Sequence, residues 1–401
     1  MTDDPSWSYD SLLPLFKKSE GFQEPTAKSD YITQSVSDKY HGRQGEWKVS
    51  YQSFFHNISS AFIRAAEAVG LTFNPDFNAE TTLGVGRIQT FIDPRDSARS
   101  SSERAFLSAE VLDRPNLGVV TNAQCLKVII ENGECTGVVI LHHGEEKIVR
   151  ARHEVIVSCG AFDSPRILFE SGVQLPGIGQ NLQDHIGINI SFHIPDSVDK
   201  SWKTLDLQNG FFTKFFNLLK FVWYRTGTAT TNIGEAVAFY RTKLEHVLKT
   251  DPSSGNEGPH VELIAAPGAT HHHEGIQIGK RIRPDFDWSL FEFNGRYITI
   301  IPLLLTPYSR GKVTFQNNTI QIDPNYFSDQ RDLDVMVEAV KFVRQIVREG
   351  YPKVLLEGLE EMIPGDDART DQAIEVFIRD QAETYYHPVG TCKVCHFVST
   401  C

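Results

Sequence analysis

A chain of 401 residues with 40% hydrophobic and 22% charged residues has the composition of an ordinary globular protein, and its length exceeds what one core usually covers, so two domains are expected. Its 39 basic and 51 acidic residues leave a net charge of -12, which disfavours nucleic acid or an anionic membrane as a general partner. The longest apolar stretch, 297–305, is cut by Pro302, so no membrane span is expected.

The first seven residues carry neither a basic segment nor an apolar core and do not read as a secretory signal, which leaves the compartment open. Residues 9–20 predict a short helix with Leu12, Leu13 and Phe16 on one face. A second helix is predicted from about Asn57 to Val69, where Ala61, Phe62, Ala65 and Ala66 recur at helical spacing before Gly70. Gly84-Val85-Gly86-Arg87-Ile88-Gln89 looks like half of a dinucleotide fingerprint. It lacks the third glycine and a feeding strand, and it reads as loop.

Between 116 and 172 the pattern becomes regular. Runs at 117–121, 126–130, 136–141 and 147–151 predict short strands, with Asn132-Gly133 and His143-Gly144 as the turns of a meander. Glu154–Cys159 then reads as a compact buried strand, followed by Gly160-Ala161-Phe162-Asp163-Ser164-Pro165. Ser164 is placed as the cap of a helix starting at Pro165 and ending at Gly172. A strand leading through glycine into a capped helix offers free backbone N–H groups to a phosphate or a polar cofactor edge. The isolated Cys125, Cys135 and Cys159 read as small buried hydrophobes, with no disulfide framework among the six cysteines.

Beyond Asp184-His185 the candidate strands are 188–193, 236–240, 260–266, 297–305, 312–316 and 320–322, spaced as in a mostly antiparallel sheet. Phe211–Trp223 is an apolar helix-like interruption. Leu333–Arg348 and Thr370–Ala382 are predicted helices, the first with a stripe through Leu333, Met336, Val337, Val340 and Val343. His185 is assigned a structural role at the passage between domains. His271-His272-His273 reads as a solvated loop, because successive side chains diverge, and no metal site is expected. Cys392-Lys393-Val394-Cys395-His396 matches the c-type haem attachment pattern, but nothing beside it indicates an export route, and haem is set aside.

His387 stands before Pro388, which pushes it out of helical geometry to the end of an element. An imidazole, with an ordinary pKa near about 6.5, can take and return a proton at neutral pH.

Several stretches together resemble the glucose-methanol-choline (GMC) family of flavin-dependent oxidoreductases. They are Gly160–Gly172, the segment Leu175-Pro-Gly-Ile-Gly-Gln-Asn-Leu-Gln-Asp-His185, Asp10–Glu20, Arg99-Ser-Ser-Ser102 and His387-Pro-Val-Gly-Thr-Cys392. The resemblance implies an α/β plus α+β fold: an FAD-binding, Rossmann-like domain with a β-meander, and a substrate domain built on a mostly antiparallel sheet with flanking helices. It implies domains at 1–187 and 188–384, the second with the family's C-terminal region from about 309, and a return to the first domain over 385–401. His387 is implied as the base that takes the alcohol proton while hydride leaves for the flavin. Tyr385 and Tyr386 are candidates for the pocket wall. Cys125, Gly160, Ala161 and Ser164 are implied at the FAD contact, Cys125 through its backbone at the adenine end.

The implied partner is a small-molecule alcohol, with the electron acceptor and the oligomeric state left open. Against the family pattern, the first strand–GxGxxG–helix unit has no counterpart, an excursion between Val173 and Leu175 is missing, and Val394-Cys395-His396-Phe397 departs from the expected ending. An incomplete cofactor domain, with a sheet edge exposed and poor solubility of this chain alone, is therefore expected. Two rival readings follow, a catalytically inactive paralogue acting as a binding protein and a hydroxynitrile lyase on the same fold.

Overall fold

Two sheets organise the chain. The computed structural model describes residues 4–24, 36–202, 204, 211–251, 253, 255, 257–269, 295–354 and 356–393. The smaller sheet is the meander Ala123–Glu131, Glu134–His142 and Glu145–Arg150, antiparallel throughout. Both of its turns form where Asn-Gly and His-Gly were read. Asn132 and Gly133 have φ of 54° and 84°, and His143 and Gly144 have 53° and 80°, the left-handed pair that matches the twist of a tight hairpin. One face is covered by the helix Gly160–Glu170, which buries Val128 and Val139. The third strand is exposed along its length.

Two expectations for this region fail. Neither 117–121 nor 154–159 forms a strand, and Ile156 is 76% exposed, because no neighbouring strand is present among the described residues to accept either run. The cysteines also differ from expectation: Cys135 and Cys159 are exposed and Cys125 is half-buried. Each lies on or beside an uncovered face.

The larger sheet has eight strands. Its main path runs Glu360–Ile363, Ile190–Ile194, Arg296–Leu304, Val261–Ala266, Ala236–Tyr240 and Gly84–Arg87. Ile186–Gly187 joins the far end of Arg296–Leu304, and Glu383–Thr384 pairs beyond it. Every pairing within it is antiparallel, as the spacing predicted. Alternate residues face two helices: Ile190, Phe192, Leu263, Ala265, Ile298 and Ile300 pack with Phe62 and Ala65 of Asn57–Ala68 and with Met336 and Val340 of Gln330–Gln345. The two helices end side by side at a glycine, since a Cβ on Gly350 would collide with the Ala65 carbonyl.

Gly84–Arg87 is a correction. It was read as loop, yet it is an edge strand in register with Ala236–Phe239, with Val85 in the core. Its glycines serve close approach, for a Cβ on Gly86 would strike the Asn74 carbonyl. The sheet thus recruits strands and a core helix from both sides of residue 187.

Candidate active site

The histidine segment is zipped to the stretch around His185. Gly179 N–H donates to Thr391 O at 2.8 Å, Gln183 and Val389 exchange two backbone bonds at 2.9 and 2.8 Å, and Tyr385 N–H donates to His185 O at 3.0 Å. These bonds extend the pairing of Glu383–Thr384 with Ile186–Gly187, so the sheet itself delivers the chain to His387. Gly187 is required here: a Cβ would collide with Leu303 Cδ2 and stand 2.7 Å from the Tyr385 ring.

Asp184 fixes the turn. Its largely buried carboxylate accepts from the His387 N–H at 3.0 Å, from Tyr326 Oη at 2.6 Å and from the Thr384 hydroxyl. Thr384 Oγ1 in turn accepts from Tyr386 N–H at 3.0 Å. A carboxylate with three donors is held by charge-assisted bonds, each stronger than a neutral one. The backbone of Tyr386-His387 is thereby pinned, with Tyr386 at φ 59° and its ring turned to solvent.

His185, read as structural at the passage between domains, lies against His387. Its Nδ1 lies 3.1 Å from His387 Nδ1, and the two rings meet edge to face with centroids 5.1 Å apart. Two imidazole nitrogens can share a bond only if one carries the proton and the other is bare. Burial first, and then the His387 ring, push the His185 pKa down, which favours the neutral form of His185. Nothing in the local sequence marks this contact, since it joins residues 202 positions apart.

Glu262 was also missed. Register aligns Gly187, Leu303, Glu262 and Phe239 across neighbouring strands, so their side-chain positions share the face opposite the helices. Tyr385 lies over Gly187 in that row, and the Glu262 charge is close enough to act on its hydroxyl. Burial pushes the Glu262 carboxyl up to about 7, and among the described residues it has no hydrogen-bond or ion-pair partner. The available signal was an acidic residue inside the otherwise apolar run Val261–Ala266.

The helix expected to start at Pro165 starts one turn earlier, at Gly160, with Cys159 in the capping position. Ser164 lies inside it, and its hydroxyl accepts from Cys159 N–H at 3.1 Å. Gly160, at φ 81°, makes the turn that aims the chain into the helix. Pro165 has no N–H to return to Ala161, and the Thr391 hydroxyl donates to that freed carbonyl at 2.5 Å. The two motifs read separately in the sequence therefore touch. Cys125 stands close enough to Cys159 for the two thiols to influence each other.

Of the four residues read for FAD, Cys125 is half-buried near Cys159, the residue before Gly160. A Cβ on Gly160 would meet nothing within 4 Å, and the first-turn N–H groups of a helix have no partner within the helix. Ala161 and Ser164 are tied into the helix start by their carbonyl and hydroxyl. These groups fit a polar edge of a dinucleotide. Among the described residues no strand–glycine turn–helix unit of the pyrophosphate-binding kind is present. No group of three or more metal-ligating side chains occurs among the described residues. His271–His273, Cys395 and His396 lie outside them.

Two GMC oxidoreductase family models match the chain, one over residues 2–187 and the other over 307–396. The alcohol dehydrogenase [acceptor] of Pseudomonas putida is 30% identical over 410 residues, covering 97% of this chain and 66% of that protein. The oxygen-dependent choline dehydrogenase of Cronobacter sakazakii is 27% identical, covering 97% and 65%. The chain thus spans about two thirds of the length of these relatives. Among solved structures, formate oxidase of Aspergillus oryzae superposes with a TM-score of 0.76 at 22% identity, over 97% of this chain and 69% of that one. A fungal aryl-alcohol oxidase gives 0.76 at 20% identity, over 96% and 70%.

Proposed function

The chain belongs to the GMC oxidoreductase family of FAD flavoproteins, and from that premise we propose that it oxidises the CH–OH group of a small alcohol to a carbonyl, with His387 as the base. FAD supplies the hydride acceptor. Residues 1–187 would hold the cofactor, through Cys125 at the meander and through Gly160, Ala161 and Ser164 at the helix start, while 188–384 would form the substrate side and 385–401 would return His387 between them.

The observation that carries this reading is the placement of His387. Asp184 holds its backbone, and neutral His185 faces its Nδ1. When the shared proton lies on His387 Nδ1, its Nε2 has a bare lone pair, as a base requires. The alcohol proton then passes to Nε2, which raises electron density on the carbinol carbon and weakens its C–H bond. His185, facing His387 Nδ1, disperses the positive charge that results without itself ionising. Tyr385, in the row with Leu303 and Glu262, would flank the substrate beside the base.

The test is single-turnover reduction of the FAD-loaded protein by primary alcohols, followed by loss of flavin absorbance. His387→Ala should slow it about a hundredfold to ten-thousandfold, the usual worth of a general base. An unchanged rate in that variant would remove His387 from the mechanism.

A further inference from the structure

The helix Phe211–Tyr224 holds its large apolar side chains in solvent. Phe215, Phe216, Leu218, Val222, Trp223 and Tyr224 are all exposed, Phe216 by 59%, Trp223 by 69% and Tyr224 by 72%. Phe215, Leu218 and Val222 follow one another at helical spacing, and Phe216, Lys220 and Trp223 form a second line beside them. In a helix of a globular core such a stripe faces the interior. Here the inner side faces a cavity of about 370 Å³ lined by Phe54, His56, Asn57, Ser201, Asn217 and Lys220. The far end is tethered, since Ser97 Oγ donates to Arg225 O at 2.8 Å.

Charge says what covers it. No Asp or Glu occurs between Asp206 and Glu235, while Lys214, Lys220 and Arg225 do, in a chain whose net charge is -12. An aromatic and aliphatic surface bearing lysine and arginine, with Trp and Tyr at one end, is the composition that settles into the headgroup region of a bilayer. The net charge of -12 opposes such docking, but screening at physiological salt confines that opposition to charges within about 8 Å of the lipid surface. Near the surface each basic side chain is worth about a fivefold gain in affinity. Length decides between lying on and crossing: no helix among the described residues is long and apolar enough to cross a membrane.

We propose that Phe211–Tyr224 is an interfacial helix that docks the protein on an anionic lipid bilayer, with Phe215, Phe216, Leu218, Val222 and Trp223 at the acyl boundary and Lys220 and Arg225 at the phosphates. The inference is independent of the reaction assigned above. It is tested by flotation of the full chain with vesicles of phosphatidylcholine and of phosphatidylcholine mixed with phosphatidylglycerol. The chain should float with the mixed vesicles, and less with the neutral ones. Phe216→Ser combined with Trp223→Ser should lower partitioning at least about tenfold. Lys220→Gln and Arg225→Gln should each remove about fivefold of the anionic preference. Because these side chains are exposed, the variants should melt with the parent, which separates lost docking from lost folding. Equal flotation of parent and variants overturns the proposal. So does a parent that floats with neither vesicle, whether it stays monomeric or forms a dimer abolished by the same substitutions.

Discussion

Two apolar runs show how differently this chain treats similar sequence. Ile298, Ile300 and Leu304 stand in the middle of the large sheet and are buried. The run 154–159 is also rich in Val and Ile, yet it forms no strand, and Ile156 is 76% exposed. What separates them is partners. Each strand of the large sheet has a neighbour and a helix across its inner face, whereas the meander side has one helix and open edges. The large sheet therefore carries its own core, and the segment bearing His387 hangs from it through Gly187 and Asp184. The side read for the cofactor depends on few contacts of its own.

Truncation at matched positions is the bluntest way to break the comparison. Phe62→Ala, in the helix under the sheet, should cost about 3–5 kcal/mol by chemical denaturation, the range for a buried phenylalanine. Ile156→Ala should fall within about 0.5 kcal/mol, as surface changes do. Equal costs would mean that Ile156 is covered in solution and that the contrast is false.

The joint between the two regions is next. Gly187→Ala forces Leu303 and the Tyr385 ring apart, two residues from His387. A displacement of about 1 Å at a reacting group is worth about a hundredfold in rate. Flavin reduction by alcohol should slow by about that factor, while the midpoint of denaturation falls by the smaller amount of an overpacked site, about 1–3 kcal/mol. A loss confined to stability would place Tyr385 outside the pocket.

Glu262 sharpens the comparison through pH. Its pKa rises from an ordinary 4.5 to about 7 on folding because burial disfavours the charged form. The folded state thus holds a proton that the unfolded state has released between those values. Stability from this group is complete below pH 4.5 and is lost as pH rises through about 7, a loss of about 3 kcal/mol by linkage. Glu262→Gln cannot ionise. It should match the parent near pH 4.5 and be more stable by up to that amount at pH 8, measured by urea denaturation at the two values. A constant difference across the range would show that Glu262 is not the titrating group.

Much of the layout was legible because it is local. The Asn-Gly and His-Gly turns, the strand runs of the large sheet and the stripe of Gln330–Gln345 follow from residue chemistry within a few positions. His387 was legible because a proline fixes its backbone. The rest depends on pairing across long separations. Gly84–Arg87 becomes a strand only because Ala236–Tyr240 offers an edge, and Glu262 joins the site only through its register with Leu303. His185 meets His387 because two distant segments are zipped together. The start of the Gly160–Glu170 helix was misread for a subtler reason. Ser164 and Pro165 do mark a cap and a first turn in isolation, but Pro165 is tolerated inside the helix because Thr391 takes the carbonyl it leaves free.

The smallest test concerns a polar tie between that helix end and the meander. Ala123–Glu131 is an edge strand of the meander, with a register shift between Cys125 and Lys127, so alternate N–H groups near Val128 point away from the ladder. Val128 N–H donates to Ser171 Oγ at 2.8 Å, and Ser171 donates its own proton to Ile167 O at 2.5 Å. Ser171→Ala leaves that amide without its acceptor. The cost should be about 1–2 kcal/mol, combining a lost hydrogen bond with a half-buried donor left unpaired. Hydrogen exchange would register it more sharply than melting, through faster exchange at Val128 while the amides of Ile298 and Ile300 keep their protection. If exchange at Val128 is unchanged, the helix is held to the meander by apolar packing alone. If the large sheet loosens as well, the two regions form one cooperative unit, and the contrast drawn between them is one of surface rather than of stability.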